Sequence, residues 1–219
     1  MYGSCWRGKR VLITAGPTRE YLDPVRYLSN SSSGRMGAAL ALAARLRGAK
    51  VCVVLGPCPE SAPQGVTTVP VVTAEQMRRE VLRRCSRADV VIAAAAVSDW
   101  RFSKISRHKI KRSGEHPLRL TLIPNPDIIR EVARLRDRAV KRQVLVGFAL
   151  ETRRGLGTAR RKMKEKGLDL IVANGPEALG AAACRVSLVS RSGPVVRLGR
   201  RRKSEVAQAI LSCVEKLWR

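Results

Sequence analysis

Apolar runs without alternation dominate this chain, and stretches with helical spacing separate them. Residues 10–14, 50–55, 89–95, 143–149 and 168–173 are almost continuously apolar, the pattern of parallel strands covered on both faces. Between them, Met36, Leu40, Ala43, Ala44 and Leu46 form one stripe of a helix expected over 34–47, with Gly48 as its stop. Thr73 and Gln76 have capping-box spacing ahead of a helix to about residue 84. Pro124, Asn125, Pro126 and Asp127 make a rigid turn into a helix reaching about residue 138, and a further helix is expected over 158–166. The last helix, 204–217, places Val206, Ala209, Ile210, Cys213 and Leu217 on one face.

The remaining segments are less regular. Residues 66–72 read as extended, 118–123 alternate like a strand, and 185–189 with 195–198 read as a hairpin across Ser192 and Gly193. From 99 to 117 periodicity is lost, which predicts a loop or mobile flap with at most a short strand at 109–112. Strand, helix and strand recur with short connections. The expected fold is α/β, a modified Rossmann-like and largely parallel sheet with helices on both faces and an antiparallel edge. One domain over 1–219 is expected, with its flap at 100–117.

Composition narrows the function classes. The 219 residues carry 43 Lys and Arg against 17 Asp and Glu, a formal charge of +26, which attracts polyanions. A basic nucleic-acid-binding protein on a Rossmann-like scaffold is therefore the alternative reading. With two Phe and three Tyr, no strand interleaves basic and aromatic residues as base-stacking surfaces do, so nucleic acid is not expected as the main partner. The six cysteines form no close pairs, which argues against zinc and iron–sulfur sites, and no disulfide is assigned. No apolar run is long enough to span a bilayer, and a cytoplasmic protein is expected.

Candidate chemistry gathers at strand ends. Gly16 follows a buried strand and would permit close backbone approach, while Asn30, Ser31, Ser32, Ser33 and Gly34 offer amides, hydroxyls and a carboxamide. The dinucleotide fingerprint and the Walker pattern are both absent, and a polar loop capping a helix is the plain alternative. Ala93, Ala94, Ala95 and Ala96 leave room for a flat ligand beside a strand end, and Asp99 is either a turn cap or a ligand of a phosphate-bound cation. Lys109 sits in the unpatterned segment as a solvated charge or a flap cation. Lys162 and Lys166 share a helix face, as surface residues or as a phosphate contact. Phe148 is a core residue or a ligand platform, and Glu151 a cap or orienting group. His108 and His116 have no paired carboxylate, so a histidine-driven mechanism has little support.

The motif blocks resemble the phosphopantothenoylcysteine synthetase family. They are residues 14–20, 23–26, 29–37, 94–99, 109–112, 125–128, 146–152 and 166–174, in family order through nearly the whole chain. The resemblance implies a stand-alone ligase, without the flavin-dependent decarboxylase domain, joining 4'-phosphopantothenate to L-cysteine. Its reaction would run through an acyl-cytidylate, with CTP (or ATP) as co-substrate, Mg2+ and no flavin, in a homodimer. It further implies Asn30 and Lys109 as catalytic residues, and Asp99 near nucleotide and metal. Gly16, Ser32, Ser33, Gly34, Ala95, Phe148, Lys162 and Lys166 complete the implied ligand site. Three places depart from the family pattern: Trp100 for a usual tyrosine, Gly175 for a usual aspartate, and the run 179–183.

Overall fold

The computed structural model describes residues 4–112, 117–139, 142–150, 155–191 and 193–218. The chain runs β1 (Arg10–Ala15), β2 (Arg19–Tyr21), β3 (Tyr27–Ser29), α1 (Arg35–Leu46), β4 (Lys50–Leu55), β5 (Thr67–Pro70), α2 (Ala74–Cys85), β6 (Val90–Ala93) and β7 (Trp100–Phe102). It continues through β8 (Leu122–Pro124), α3 (Ile128–Arg136), β9 (Val144–Leu150), α4 (Gly155–Glu165), β10 (Leu170–Asn174), β11 (Ala183–Ser190), β12 (Val196–Arg202) and α5 (Lys203–Trp218).

Eight strands form one sheet in the order β12-β11-β10-β9-β6-β1-β4-β5. From β9 to β5 and from β9 to β10 every pairing is parallel, whereas β10, β11 and β12 pair antiparallel. The expected α/β class, largely parallel with an antiparallel edge, is the observed one. Apolar cores lie on both faces of the sheet. Leu40, Ala44, Val206, Ile210 and Leu211 of α1 and α5 cover one, and Met77, Val81, Ile129, Val132 and Met163 of α2, α3 and α4 cover the other.

Helix α1 comes close to β1 because position 37 has no side chain. A Cβ on Gly37 would stand 2.3 Å from the Cβ of Ala15. Its C-terminus is closed by Gly48 at φ 90°, whose amide bonds the carbonyl of Arg45 at 2.8 Å. Arg47, buried at that end, donates to Glu215, Gln208 and Ser212 of α5 and so clasps the two helices together.

The irregular segments depart from expectation for identifiable reasons. Residues 109–112 form no strand, because the amide and carbonyl of Ile110 are taken by the side chains of Asp23 and Arg26. Of the expected strand 118–123 only Leu122 and Ile123 pair, within β8, since its partner β7 is three residues long. The β2–β3 hairpin is too short to show an alternation, and β6 stops at Ala93, with Ala94 to Ala96 continuing along β1 by separate bonds. Part of the expected flap, 113–116, lies outside the described residues, as do Glu151, Thr152 and the Ser192 turn position.

Gly37→Ala tests the close approach. Alanine favours a helix over glycine by about 1 kcal/mol, yet overpacking here should cost about 1–3 kcal/mol and lower the urea midpoint. A midpoint equal to or above that of the unaltered protein would show that α1 and β1 are not in tight contact.

Candidate functional site

The strand order reverses between β1 and β6, the place where a parallel sheet opens a crevice at its carboxyl edge. In register across that edge lie Thr14, Ala93 and Gly147, three small residues on neighbouring strands. All three line the larger of two clefts that meet at this edge.

The larger cleft has a volume of about 690 Å3 and lies on the face of α2, α3 and α4. Asn30, Asp99, Asn125, Phe148, Lys162 and Lys166 are among its lining residues. The smaller, of about 190 Å3, lies on the face of α1 and α5, and includes Ser32, Ser33, Gly34, Arg35, Asn174 and Lys203. Ala95, Ala96, Phe148, Leu150 and Leu179 line both, so the clefts meet over the sheet edge.

Hydrogen bonds set the shape of the junction. The Asn30 carboxamide donates to the carbonyls of Ala96 and Val97, each at 3.1 Å, and its Oδ1 accepts nothing from the described residues. Thr14 Oγ1 accepts the amide of Ala95 at 3.2 Å, and Thr18 Oγ1 that of Ser98 at 3.0 Å. Asn125 donates through Nδ2 to the Ser98 carbonyl at 2.8 Å. Lys166 pairs with Asp127 at 2.9 Å, and Asp127 also caps α3 by accepting the Arg130 amide. At the smaller cleft, Arg35 donates to the Gly180 carbonyl at 3.1 Å and lies 3.6 Å from Glu60, and the Lys203 amide bonds the Ala182 carbonyl at 3.1 Å.

Most of the expected site residues come together here. Asn30, Ala95, Asp99, Phe148, Lys162 and Lys166 line the larger cleft, and Ser32, Ser33 and Gly34 the smaller. Gly16 lines neither. Its φ of 75° and a would-be Cβ 2.8 Å from the Gly56 carbonyl oxygen make it a packing glycine between two turns. Lys109 is exposed and lines neither cleft. Among the described residues no group of three or more His, Cys, Asp and Glu could hold a metal, and Asp99 shares the larger cleft with one other carboxylate, Asp127. Lys203, which opens an otherwise ordinary amphipathic helix, is not among the expected site residues, and Leu179 belongs to the run 179–183 noted as departing from the family pattern.

The segment carrying Lys109 is tied down. Asp23, fully buried, accepts the amides of Val25, Arg26 and Ile110 and an Arg26 guanidinium N–H at 2.9 Å. The same guanidinium nitrogen donates to the Ile110 carbonyl, and the Ser106 amide to that of Leu22. Burial opposes the charge on Asp23, but the hydrogen bonds from Val25, Ile110 and Arg26 and the Arg26 charge outweigh it, holding the carboxyl below its ordinary 3.8.

Residues 6–217 match the family model described as the DNA/pantothenate metabolism flavoprotein C-terminal domain. The chain belongs to that family. A coenzyme A biosynthesis bifunctional protein CoaBC of Borreliella burgdorferi is 37% identical over 206 residues, covering 94% of this chain and 52% of the relative. A cysteine/cysteine sulfinic acid decarboxylase of an unknown prokaryotic organism is 40% identical over 209 residues, covering 93% and 57%. The crystal structure of the C-terminal domain of a CoaBC protein superposes with a TM-score of 0.82 at 37% identity, covering 97% of this chain and 96% of that one. The chain spans about half the length of the curated relatives it matches.

These findings correct the expectation of a stand-alone, flavin-free, CTP-dependent ligase. The family is described by a flavoprotein, its CoaBC relative is bifunctional and about twice as long, and one relative is a decarboxylase. The acyl-cytidylate route, CTP with Mg2+, and phosphopantothenate plus cysteine as the substrate pair are withdrawn with it. Physically, the motif blocks report a small-residue crevice with cationic walls, and such a crevice does not by itself specify a triphosphate. No described helix is long and apolar enough to cross a membrane.

The clamp at Asp23 gives a pH prediction. Its folded-state pKa is lowered, so its contribution is present above the ordinary value and is lost as pH falls through 3.8 and below. Asp23→Asn should therefore raise trypsin cleavage within 103–112 severalfold at neutral pH, with the difference from the unaltered protein shrinking in acid stability scans below pH 4. Equal cleavage rates at neutral pH would show that Asp23 does not hold the segment.

Proposed function

We propose that this chain works in coenzyme A biosynthesis as the C-terminal domain of a flavin-linked bifunctional protein, and that its paired clefts bind phosphopantothenoylcysteine, the molecule that flavin-dependent decarboxylation consumes. The observation that carries this reading is the continuity of two cationic clefts across a small-residue sheet edge. Phosphopantothenoylcysteine is long and thin, with a phosphate at one end, a carboxylate at the other and amides between. Lys162 and Lys166 supply cations on one face of the sheet and Arg35 and Lys203 on the other, while Ala95, Ala96 and Gly147 admit a narrow chain between them. Asn30 stands at the junction with its Oδ1 open to an amide N–H of the ligand.

A flavin held by the longer protein would supply an electron acceptor for the thiol of the substrate. The cations of the clefts suit its phosphate. Among the described residues Phe148 is the one aromatic side chain lining either cleft, so a three-ring plane meets one flat wall and lacks a second. These residues do not fit the ring, and the chain's own contribution is to bind and orient the substrate.

Titration calorimetry with phosphopantothenoylcysteine should give saturable binding at one molecule per chain, weakened roughly two- to tenfold by Asn30→Ala, the loss of one hydrogen bond. No saturable binding, or binding indifferent to Asn30, contradicts the proposal. Adding flavin mononucleotide to the same mixture and following CO2 release assigns the decarboxylation step to this chain or to the rest of the longer protein.

A further inference from the structure

Lys203 is the first residue of α5, and its side chain is half-buried in the wall of the smaller cleft. Its ammonium makes no hydrogen bond or ion pair with any described residue, whereas most neighbouring cations have acceptors. Arg35, across the cleft, donates to the Gly180 carbonyl and faces Glu60. An ammonium partly withdrawn from water, beside a guanidinium and without an acceptor of its own, is an unbalanced charge. The space in front of it is about 190 Å3, enough for a phosphoryl group and the start of a chain. Ser32 and Ser33 line the same space and offer hydroxyl donors to an anion.

Resting on the reading that the clefts take phosphopantothenoylcysteine, we propose that Lys203 binds the terminal phosphomonoester of that ligand in the smaller cleft, with Arg35 and the Ser32 and Ser33 hydroxyls completing the subsite. The ligand's cysteine end then crosses the sheet edge beside Phe148 and reaches the face where Lys162 and Lys166 stand. The backbone that carries Lys203 is anchored in the fold. The Lys203 amide is fixed to the Ala182 carbonyl, and the next turn of α5 is anchored through the buried Val206 and Ala207. Burial and then the Arg35 charge hold the lysine below its ordinary 10.5, against the opposing pull of the Cys184 thiol and Glu60. A phosphate dianion would reverse that balance.

The test has two arms, both on the 219-residue chain. In the first, affinities for phosphopantothenoylcysteine and for its dephosphorylated form are compared. Lys203→Ala should cost about tenfold or more in affinity for the phosphorylated ligand and leave the dephosphorylated one nearly unchanged. Lys203→Arg should recover part of the loss, and unchanged thermal midpoints control for folding. In the second arm, trace acetylation is read lysine by lysine, with inorganic phosphate as the probe. Phosphate should protect Lys203 severalfold more than Lys50 or Lys164. If the unaltered chain fails to bind phosphopantothenoylcysteine but phosphate protects Lys203, the functional reading falls and the anion subsite stands. If phosphate gives no protection, or the variant keeps the preference for the phosphorylated ligand, the subsite is refuted.

Discussion

Everything at the site depends on one row of small residues. Parallel pairing sets Thr14, Ala93 and Gly147 level with one another on β1, β6 and β9, at the edge where the strand order reverses. Larger side chains there would close the crevice. A Cβ at Gly147 would already stand 2.5 Å from Leu168 Cδ1. Sheet register is set by which face each residue buries, so the apolar runs that build the two cores also determine which small residues meet at the edge.

Helices and loops then bring charge to that edge from both faces. Gly37 lets α1 lie against β1, which places Ser32, Ser33 and Arg35 over one side. On the other side, α4 carries Lys162 and the turn after it Lys166, and Asp127 both caps α3 and receives Lys166, tying the helix start to the lysine. The formal charge of +26 is thus partly organised. Much of the remainder lies on exposed helix and strand positions, such as Arg197, Arg200, Arg201 and Arg202 at the β12 edge.

The sheet was legible in the sequence because its central strands are continuously apolar and their lengths are set by the layers that cover them. The capping box of Thr73 and Gln76 was legible too, and it forms with both of its bonds. What escaped were structures held by single side chains. The β2–β3 hairpin and the docked 106–110 segment depend on Asp23 and Arg26, about eighty residues away from Ile110 in sequence, and no periodicity reports such a bond. At the site, Asn30, Phe148, Lys162 and Lys166 were visible as strand-end or helix-face residues. Gly16 has a positive φ and packs against Gly56, and no sequence pattern separates packing from ligand approach at such a glycine; Lys203 carries no sequence signal because only the fold brings α5 beside α1. The motif blocks identified a crevice but led to a ligase with CTP, a chemistry that the family comparisons overturn.

In the proposed complex one ligand spans both faces of the sheet across this edge, and a crystal structure of the chain with phosphopantothenoylcysteine is the decisive measurement. The phosphate should lie against Lys203 and Arg35, the chain should pass Asn30 and Phe148, and the cysteine end should reach the side of Lys162 and Lys166. A ligand confined to one cleft, or bound away from the row of Thr14, Ala93 and Gly147, would contradict it.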